Sequence, residues 1–473
     1  MIPWFGPRIG WSDGDGIWAG TVWRLSPGKR GADLHAALVD RPGPRIRRLA
    51  RDRAEEIRFT RFLRNENVTP QEMFARAAAG TARRAAGRRI VVVQDTSELA
   101  LGGRRAKAAG YGPVGKGGGL RGLLLHAALA LEADSGAVLG LADGAIWNRD
   151  QGEVSDRRRR HTKDKESQRW IDTTARVAQA FAEAASVTVV SDRESDIYEH
   201  FVHRPANVDL IVRACQNRKI VEPGREPQEA DGDPLLFSFI ERLPEMGRYQ
   251  TRIPAAPGRR ARTATLALRW SSLSLCRPKN TIDRELPAAV DVTVVEVREI
   301  DPPEGVEAIN WRLLTTHAVE TVEQAREIVD LYRMRWTIEE FFRTLKTAGF
   351  DIEAADISDP KAMMNFTAAA TVAAVTVMQL VRARDGDTDQ SVADAFEPED
   401  QPLIEAICQR MQGKTERQKN PHAKGTLAFV SWVMARLGGW TGYYGKPGPQ
   451  VMRRGIEDFQ RIKFGASLRL RNV

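Results

Sequence analysis

Residues 90–95 read IVVVQD and residues 187–192 read VTVVSD. Each is a short β-branched apolar run ending on an aspartate, the texture of a central strand buried on both faces. At the carboxyl edge of an α/β sheet, side chains from different strands converge on a ligand. Asp95 and Asp192 can therefore lie side by side although 97 residues separate them. Two carboxylates held close repel each other, and a divalent cation relieves the repulsion. Hard oxygen donors with no Cys or His cluster point to Mg²⁺ or Mn²⁺ over Zn²⁺.

Working outward, a glycine-rich loop from Leu101 to Gly122 leads into LLLHAALALEA and AVLGLADGAIW, and Asp134-Ser135-Gly136 between them reads as a hairpin turn. A helix spans about Ser167 to Ala184 before the second aspartate strand; SDIYEHFVH follows as a helix, and Val208–Val212 is a fifth strand. The order is β-β-β-α-β-α-β. From Lys219 to Thr316, short alternating segments with turn residues describe an inserted antiparallel β region. Val322 to Lys346 reads as one long amphipathic helix without Gly or Pro, and the chain from Pro360 onward is chiefly helical. Upstream, Pro44 to Gly87 is basic and helical, with Thr69 as N-cap before Pro70. Residues 1–44 hold Trp4, Trp11, Trp18 and Trp23 without periodicity, and no structure is assigned to them. The expected organisation is an α/β protein with a DNA-binding helical part at 1–87, a core at 88–218 and 317–359, the β insertion at 219–316, and a helical part at 360–473.

The 473 residues carry a net charge of +9, with 57 Arg against 14 Lys. Guanidinium forks suit phosphate, so a polyanionic partner is favoured. Cys215, Cys276 and Cys408 are too far apart in sequence for a CxxC zinc site or a disulfide framework, and the N-terminus lacks a signal-peptide pattern, so a cytoplasmic location is expected. Ala362–Val381 is uncharged over 20 residues but contains Asn365, Thr367, Thr371, Thr376 and Gln379. It reads as a buried core helix, and no membrane partner is expected. GYGPVGKG at 110–117 has Gly117 where a P-loop needs Ser or Thr, so no nucleotide cofactor is expected. His200 and His203 read as surface histidines, and Arg157–Arg160 as a solvated charge run.

A third acid comes from the helix at 322–346. Taking about 100° per residue from Tyr332, Arg335 falls at about 300°, Glu339 at about 340° and Lys346 at about 320°, while Glu340 lands near 80°. Tyr332, Arg335, Glu339 and Lys346 thus share one stripe, extended by Arg343. A phenol, an acid and cations on one face suit a metal next to phosphate oxygens; without the two aspartates they would read as a solvated face.

On these residues the sequence resembles the DDE transposases of bacterial insertion sequences, in the branch often called the IS-four group. YRMRWTIEEFFRTLK at 332–346 fits the family's Tyr-Arg-Glu-Lys signature at Tyr332, Arg335, Glu339 and Lys346. VVVQDTSEL and VVSDRESDIY are similar to the segments that carry its first two acids, at Asp95 and Asp192. REIDPPEGVEAINWRLLTT resembles the end of its inserted β region; RFLRN near residue 61 and ARLGGW near residue 435 are also similar. The resemblance implies an RNase H-like mixed sheet with an inserted antiparallel β region, flanked by N- and C-terminal helical domains. It implies an enzyme that performs cut-and-paste transposition: 3′-strand nicking, hairpin formation and opening, then strand transfer. The implied site holds two Mg²⁺ ions, replaceable by Mn²⁺, on Asp95, Asp192 and Glu339. Trp311 would stack on a flipped base, with Tyr332, Arg335, Lys346, Arg213 and Arg218 contacting DNA. The partners implied are double-stranded transposon ends, target DNA and a second copy of the chain. Residues 1–44 do not resemble the family's end-recognition segment. Two alternatives stay open: a defective relative that pairs with active copies and inhibits them, and an RNase H-like nuclease that never joins strands, against which the β insertion argues.

Overall fold

A computed structural model describes residues 27–102, 109–115, 118–149, 165–223, 234–253, 260–443 and 445–469. The four N-terminal tryptophans, Arg157–Arg160 and the end of the glycine-rich GYGPVGKG motif lie outside these residues.

The sheet is built around β1 (Arg89–Ala100), which pairs antiparallel with β3 (Leu120–Glu132) and parallel with β5 (Ser186–Ser191). β5 in turn pairs parallel with β6 (Asp209–Arg213). The apolar runs that suggested strands are strands, and Asp134-Ser135-Gly136 is the turn between β3 and β4 (Val138–Trp147), with Gly136 at φ 67°. β1 does not stop at Asp95. It continues to Ala100 because β3 stays beside it, whereas its pairing with β5 ends at Val93↔Val190. Residues 95–98 are only partly buried for that reason.

The inserted region supplies β7 (Ile220–Val221), β8 (Gly247–Ile253), β9 (Arg262–Cys276), β10 (Ala289–Ile300) and β11 (Asn310–Thr315). It is antiparallel, as its alternation implies, but it is not a separate sheet. β11 bonds to β10 on one side and to β6 on the other. One 11-stranded sheet results, with the path β2-β3-β1-β5-β6-β11-β10-β9-β7, where β2 is Gly112–Val114; β4 is added at β3 and β8 at β9.

Helices flank the sheet. The N-terminal ones are α1 (Pro27–Asp40), α2 (Ile46–Leu49), α3 (Arg53–Leu63) and α4 (Pro70–Ala85). The Thr69 side chain caps α4 by accepting from the Glu72 amide. α1 gives the end of the segment 1–44 a structure that no sequence pattern had supplied. Next come α5 (Gln168–Ala180), α6 (Tyr198–Val202), α7 (Leu236–Arg242), α8 (Val322–Arg333) and α9 (Trp336–Arg343). The single helix expected at 322–346 is therefore two, and a π-helical turn over Thr344–Ala348 follows the second.

The C-terminal half of the core is organised by α10 (Pro360–Ala383), with α11 (Gln401–Met411), α12 (Leu427–Leu437) and α13 (Pro449–Arg469). α10 is long and apolar enough to cross a membrane, yet 89% of its apolar window is buried against the rest of the fold. Of its buried polar groups, Asn365 Nδ2 donates to the carbonyls of Leu63 and Val68 at 2.9 and 3.0 Å, whereas Asn365 Oδ1 and Thr367 Oγ1 have no hydrogen-bond partner. α12 and α13 cross very closely, and a Cβ at Gly455 would stand 1.8 Å from the Met434 carbonyl oxygen.

Candidate active site

Strand register brings the two aspartates together. Val93 is paired with Val190, and two residues further along both chains stand Asp95 and Asp192, where β5 has just ended. The Thr96 amide donates to Asp95 Oδ1 at 2.7 Å and fixes the carboxyl at the sheet edge. Burial pushes the Asp95 carboxyl up to about 6; the Thr96 amide and the Arg335 charge oppose this, and repulsion from Asp192 and Glu194 adds to it.

α8 and α9 bring the remaining groups. Tyr332 is 1% exposed, and its hydroxyl donates to Asp192 Oδ1 at 3.3 Å. Burial, reinforced by the Asp192 charge, raises the phenol to about 12, so it remains a neutral donor. Arg335 lies at the joint between the two helices, 3% exposed. Its Nη2 donates to Glu339 Oε1 at 2.8 Å, and its Nη1 is 3.6 Å from Asp95 Oδ2. The guanidinium therefore bridges an acid of the sheet and an acid of the helix. Its Nε and Nη1 have no hydrogen-bond partner. The expected stripe is not a solvated face, because two of its members are buried under the sheet edge.

Trp311, on β11, meets Tyr332 edge to face with ring centroids 5.3 Å apart. Lys346 lies apart from the acids, on the π turn, with Nζ 3.7 Å from Glu353; Glu353 accepts from the Ala100 amide at the far end of β1. Arg213 ends β6 opposite Leu313, and its charge reaches Tyr332. Arg218 is committed elsewhere. Its Nε and Nη2 donate to Asp196 Oδ1 at 3.1 and 2.8 Å, while Asp196 Oδ2 accepts the amides of Cys215 and Gln216. The guanidinium that the resemblance assigns to DNA is here a clamp on the loop after β6, 10% exposed.

The donor chemistry fits a hard divalent ion: carboxylate oxygens without a thiolate or imidazole, and an Asp95 carboxyl raised partly by its acidic neighbours. Among the described residues no three His, Cys, Asp or Glu side chains share one cation-sized position. Glu339, whose side chain is 42% exposed, is instead turned to Arg335.

Sequence reading missed a polar cluster beneath the acids. Gln94, His126, Thr174 and His200 are all buried, and His200, expected on the surface, is 1% exposed, while His203 is exposed. The signal for His126 was its place as the only polar residue in LLLHAALAL.

A mixed sheet of this order with flanking helices, carrying acids on β1, after β5 and on a following helix, is consistent with an RNase H-like transposase fold. Residues 143–375 match the family model described as the transposase DDE domain. The matched stretch includes Asp192, Trp311, Tyr332, Arg335, Glu339 and Lys346, with Asp95 upstream of it. Residues 143–375 are thus similar to the DDE domain of transposases, a family that acts on DNA and generally uses divalent metal ions.

Proposed function

We propose that the protein is a cut-and-paste DNA transposase of the Tyr-Arg-Glu-Lys branch, acting as a dimer on inverted-repeat ends. The observation that carries this reading is the contact of Arg335 with both Asp95 and Glu339, beside the Tyr332 contact with Asp192. Asp95, Asp192 and Glu339 would hold divalent ions, Mg²⁺ or Mn²⁺. When bound, these supply charge neutralisation at the phosphodiester and a more acidic water.

The chain's own groups do the rest. Tyr332 offers a neutral hydroxyl at a pH where most phenols are also neutral, and it keeps that role in alkali. Arg335, whose Nη1 faces Asp95 and whose buried Nε has no hydrogen-bond partner, sets a positive charge beside the acids that draws phosphate oxygens toward them. Strand transfer through a hairpin bends the backbone sharply, and extruding one base relieves the bend at a cost of a few kcal/mol of stacking. Trp311, partly buried beside Tyr332, is the platform that recovers about 1–3 kcal/mol of it. Lys346 and Arg213 grip the flanking backbone.

The test uses linear DNA carrying the gene and both flanks, with Mg²⁺, the protein and its Glu339→Ala variant, and maps 3′-ends. Nicks and hairpins at two inverted sites, absent with the variant, are the expected result. Glu339-dependent cuts that never join would make the protein a nuclease. Dimerisation without any cutting would make it an inhibitor of active copies.

A further inference from the structure

A hydrogen-bond circuit runs between the two segments that carry Asp95 and Asp192. On its outer side Arg169 donates from Nε to Thr96 Oγ1 at 2.7 Å and from Nη2 to Glu194 Oε2 at 2.9 Å. These partners lie one residue after Asp95 and two after Asp192. The guanidinium is held over the rings of Trp147 and Trp170, 5.5 and 5.4 Å from their centroids. On the inner side Thr96 Oγ1 meets His126 Nδ1 at 2.8 Å, and His126 Nε2 meets Gln94 Oε1 at 3.1 Å. Gln94 Nε2 reaches Thr174 Oγ1 at 3.4 Å; Thr174 Oγ1 donates to the Trp170 carbonyl at 2.9 Å and meets His200 Nε2 at 2.9 Å, accepting there when its hydrogen is on Trp170. His200 Nδ1 lies 3.5 Å from the Ser195 carbonyl, and the Ser195 hydroxyl donates to Ser191 Oγ at 2.6 Å. Ser191 immediately precedes Asp192.

The first links have one direction. Gln94 Oε1 can only accept, so a neutral His126 leaves its Nδ1 bare to take the Thr96 hydroxyl hydrogen, while the Thr96 oxygen accepts from Arg169. A neutral His126 then carries its proton on Nε2 and donates it to Gln94 Oε1, which turns the Gln94 amide group toward Thr174. Gln94, His126, Thr174, His200, Ser191 and Ser195 are each no more than 1% exposed. In a core of valines and alanines such a chain is costly unless complete, and here each member has a partner.

We propose that this circuit is a positioning device that sets the separation of the Asp95 and Asp192 carboxylates, with Thr174 as its central link and Arg169 as its outer brace. The proposal rests on the metal-binding role given above to the two aspartates. Thr174 touches neither acid. It acts through Gln94 on one strand and through His200 and Ser195 on the other, so losing its hydroxyl frees both acids at once. Outer-shell partners of this kind change metal affinity by about 10- to 100-fold when removed.

Mn²⁺ binding to the purified full chain, followed by electron paramagnetic resonance of the free ion, tests this without requiring turnover. Thr174→Val keeps the side-chain shape and removes the hydroxyl; Thr174→Ser restores it. The expected result is Mn²⁺ binding weakened about tenfold in Thr174→Val and within twofold of the parent in Thr174→Ser, with circular dichroism unchanged. If Thr174→Val does not fold, Ser191→Ala cuts the circuit at its last hydroxyl and should weaken binding in the same direction. Binding lost in Asp192→Ala but unchanged in Thr174→Val and Ser191→Ala overturns the positioning role alone. A parent protein that takes up no Mn²⁺ overturns both the role and the metal reading beneath it.

Discussion

At the scale of single residues, two arginines that look alike in sequence are expected to behave differently. Arg218 neutralises the buried Asp196, so Arg218→Ala leaves a carboxylate stranded and should lower stability by about 3–5 kcal/mol in urea unfolding. Arg213 has no side-chain hydrogen bond or ion pair among the described residues, and Arg213→Ala should keep the unfolding midpoint while weakening DNA retention in a gel-shift assay. Equal midpoints for the two variants would refute the distinction. Asp192→Ala should abolish cutting and leave DNA affinity within a few-fold, and full activity would remove Asp192 from the site. Trp311→Ala should keep the first nick and lose hairpin yield; an unchanged yield would return Trp311 to a packing role. The placing of Asp95 and Asp192 at neighbouring strand positions was readable because a polar residue ending a β-branched run is a local signal. Arg218 was not, because nothing near it in sequence announces that Asp196, 22 residues back, is buried and needs a cation.

At the scale of elements, the polar side of α5 and α6 is expected to be sensitive to acid. Burial lowers His200 from 6.5 to about 4, so the fold favours the neutral ring. A depressed histidine contributes stability above its unfolded value and loses it as the pH falls toward the folded one, here between 6.5 and 4. The loss is on the order of 3 kcal/mol, and His200→Gln should remove that share. Urea unfolding at pH 7, 5 and 4 measures it; parallel profiles for parent and variant would show that His200 does not carry the effect. The α12–α13 crossing gives a sharper case. Gly455→Ala forces a methyl group against the Met434 carbonyl and should cost about 1–3 kcal/mol, read as a shifted urea midpoint. Caps and turns such as Thr69-Pro70 and Asp134-Ser135-Gly136 were legible because their chemistry is local. The break at Arg335 was not. Residues 334 and 335 keep helical dihedrals, and the break arises where α8 ends under the sheet edge and Arg335 turns to meet two acids.

At the scale of the molecule, the basic excess predicts that DNA affinity falls with salt at a log–log slope near −0.9 per phosphate contacted, and a flat response would exclude backbone contacts as the source of affinity. The α/β class was readable from the order of runs, and the insertion from its alternation. Their union into one sheet was not, because the β6–β11 pairing joins Arg213 to Leu313 and leaves no mark within a sequence window. That pairing also governs the order of assembly. Contacts closed over about 100 residues form late, since the intervening chain must surrender its loop entropy first. As the chain leaves the ribosome, the β1–β5 pairing that sets Asp95 beside Asp192 can close before the β6–β11 pairing, because Ser186–Ser191 is synthesised before Asn310–Thr315. A chain stopped before β11 thus carries Asp95 and Asp192 without Glu339, and, if the three acids hold the metals as proposed, it lacks the set that cutting requires.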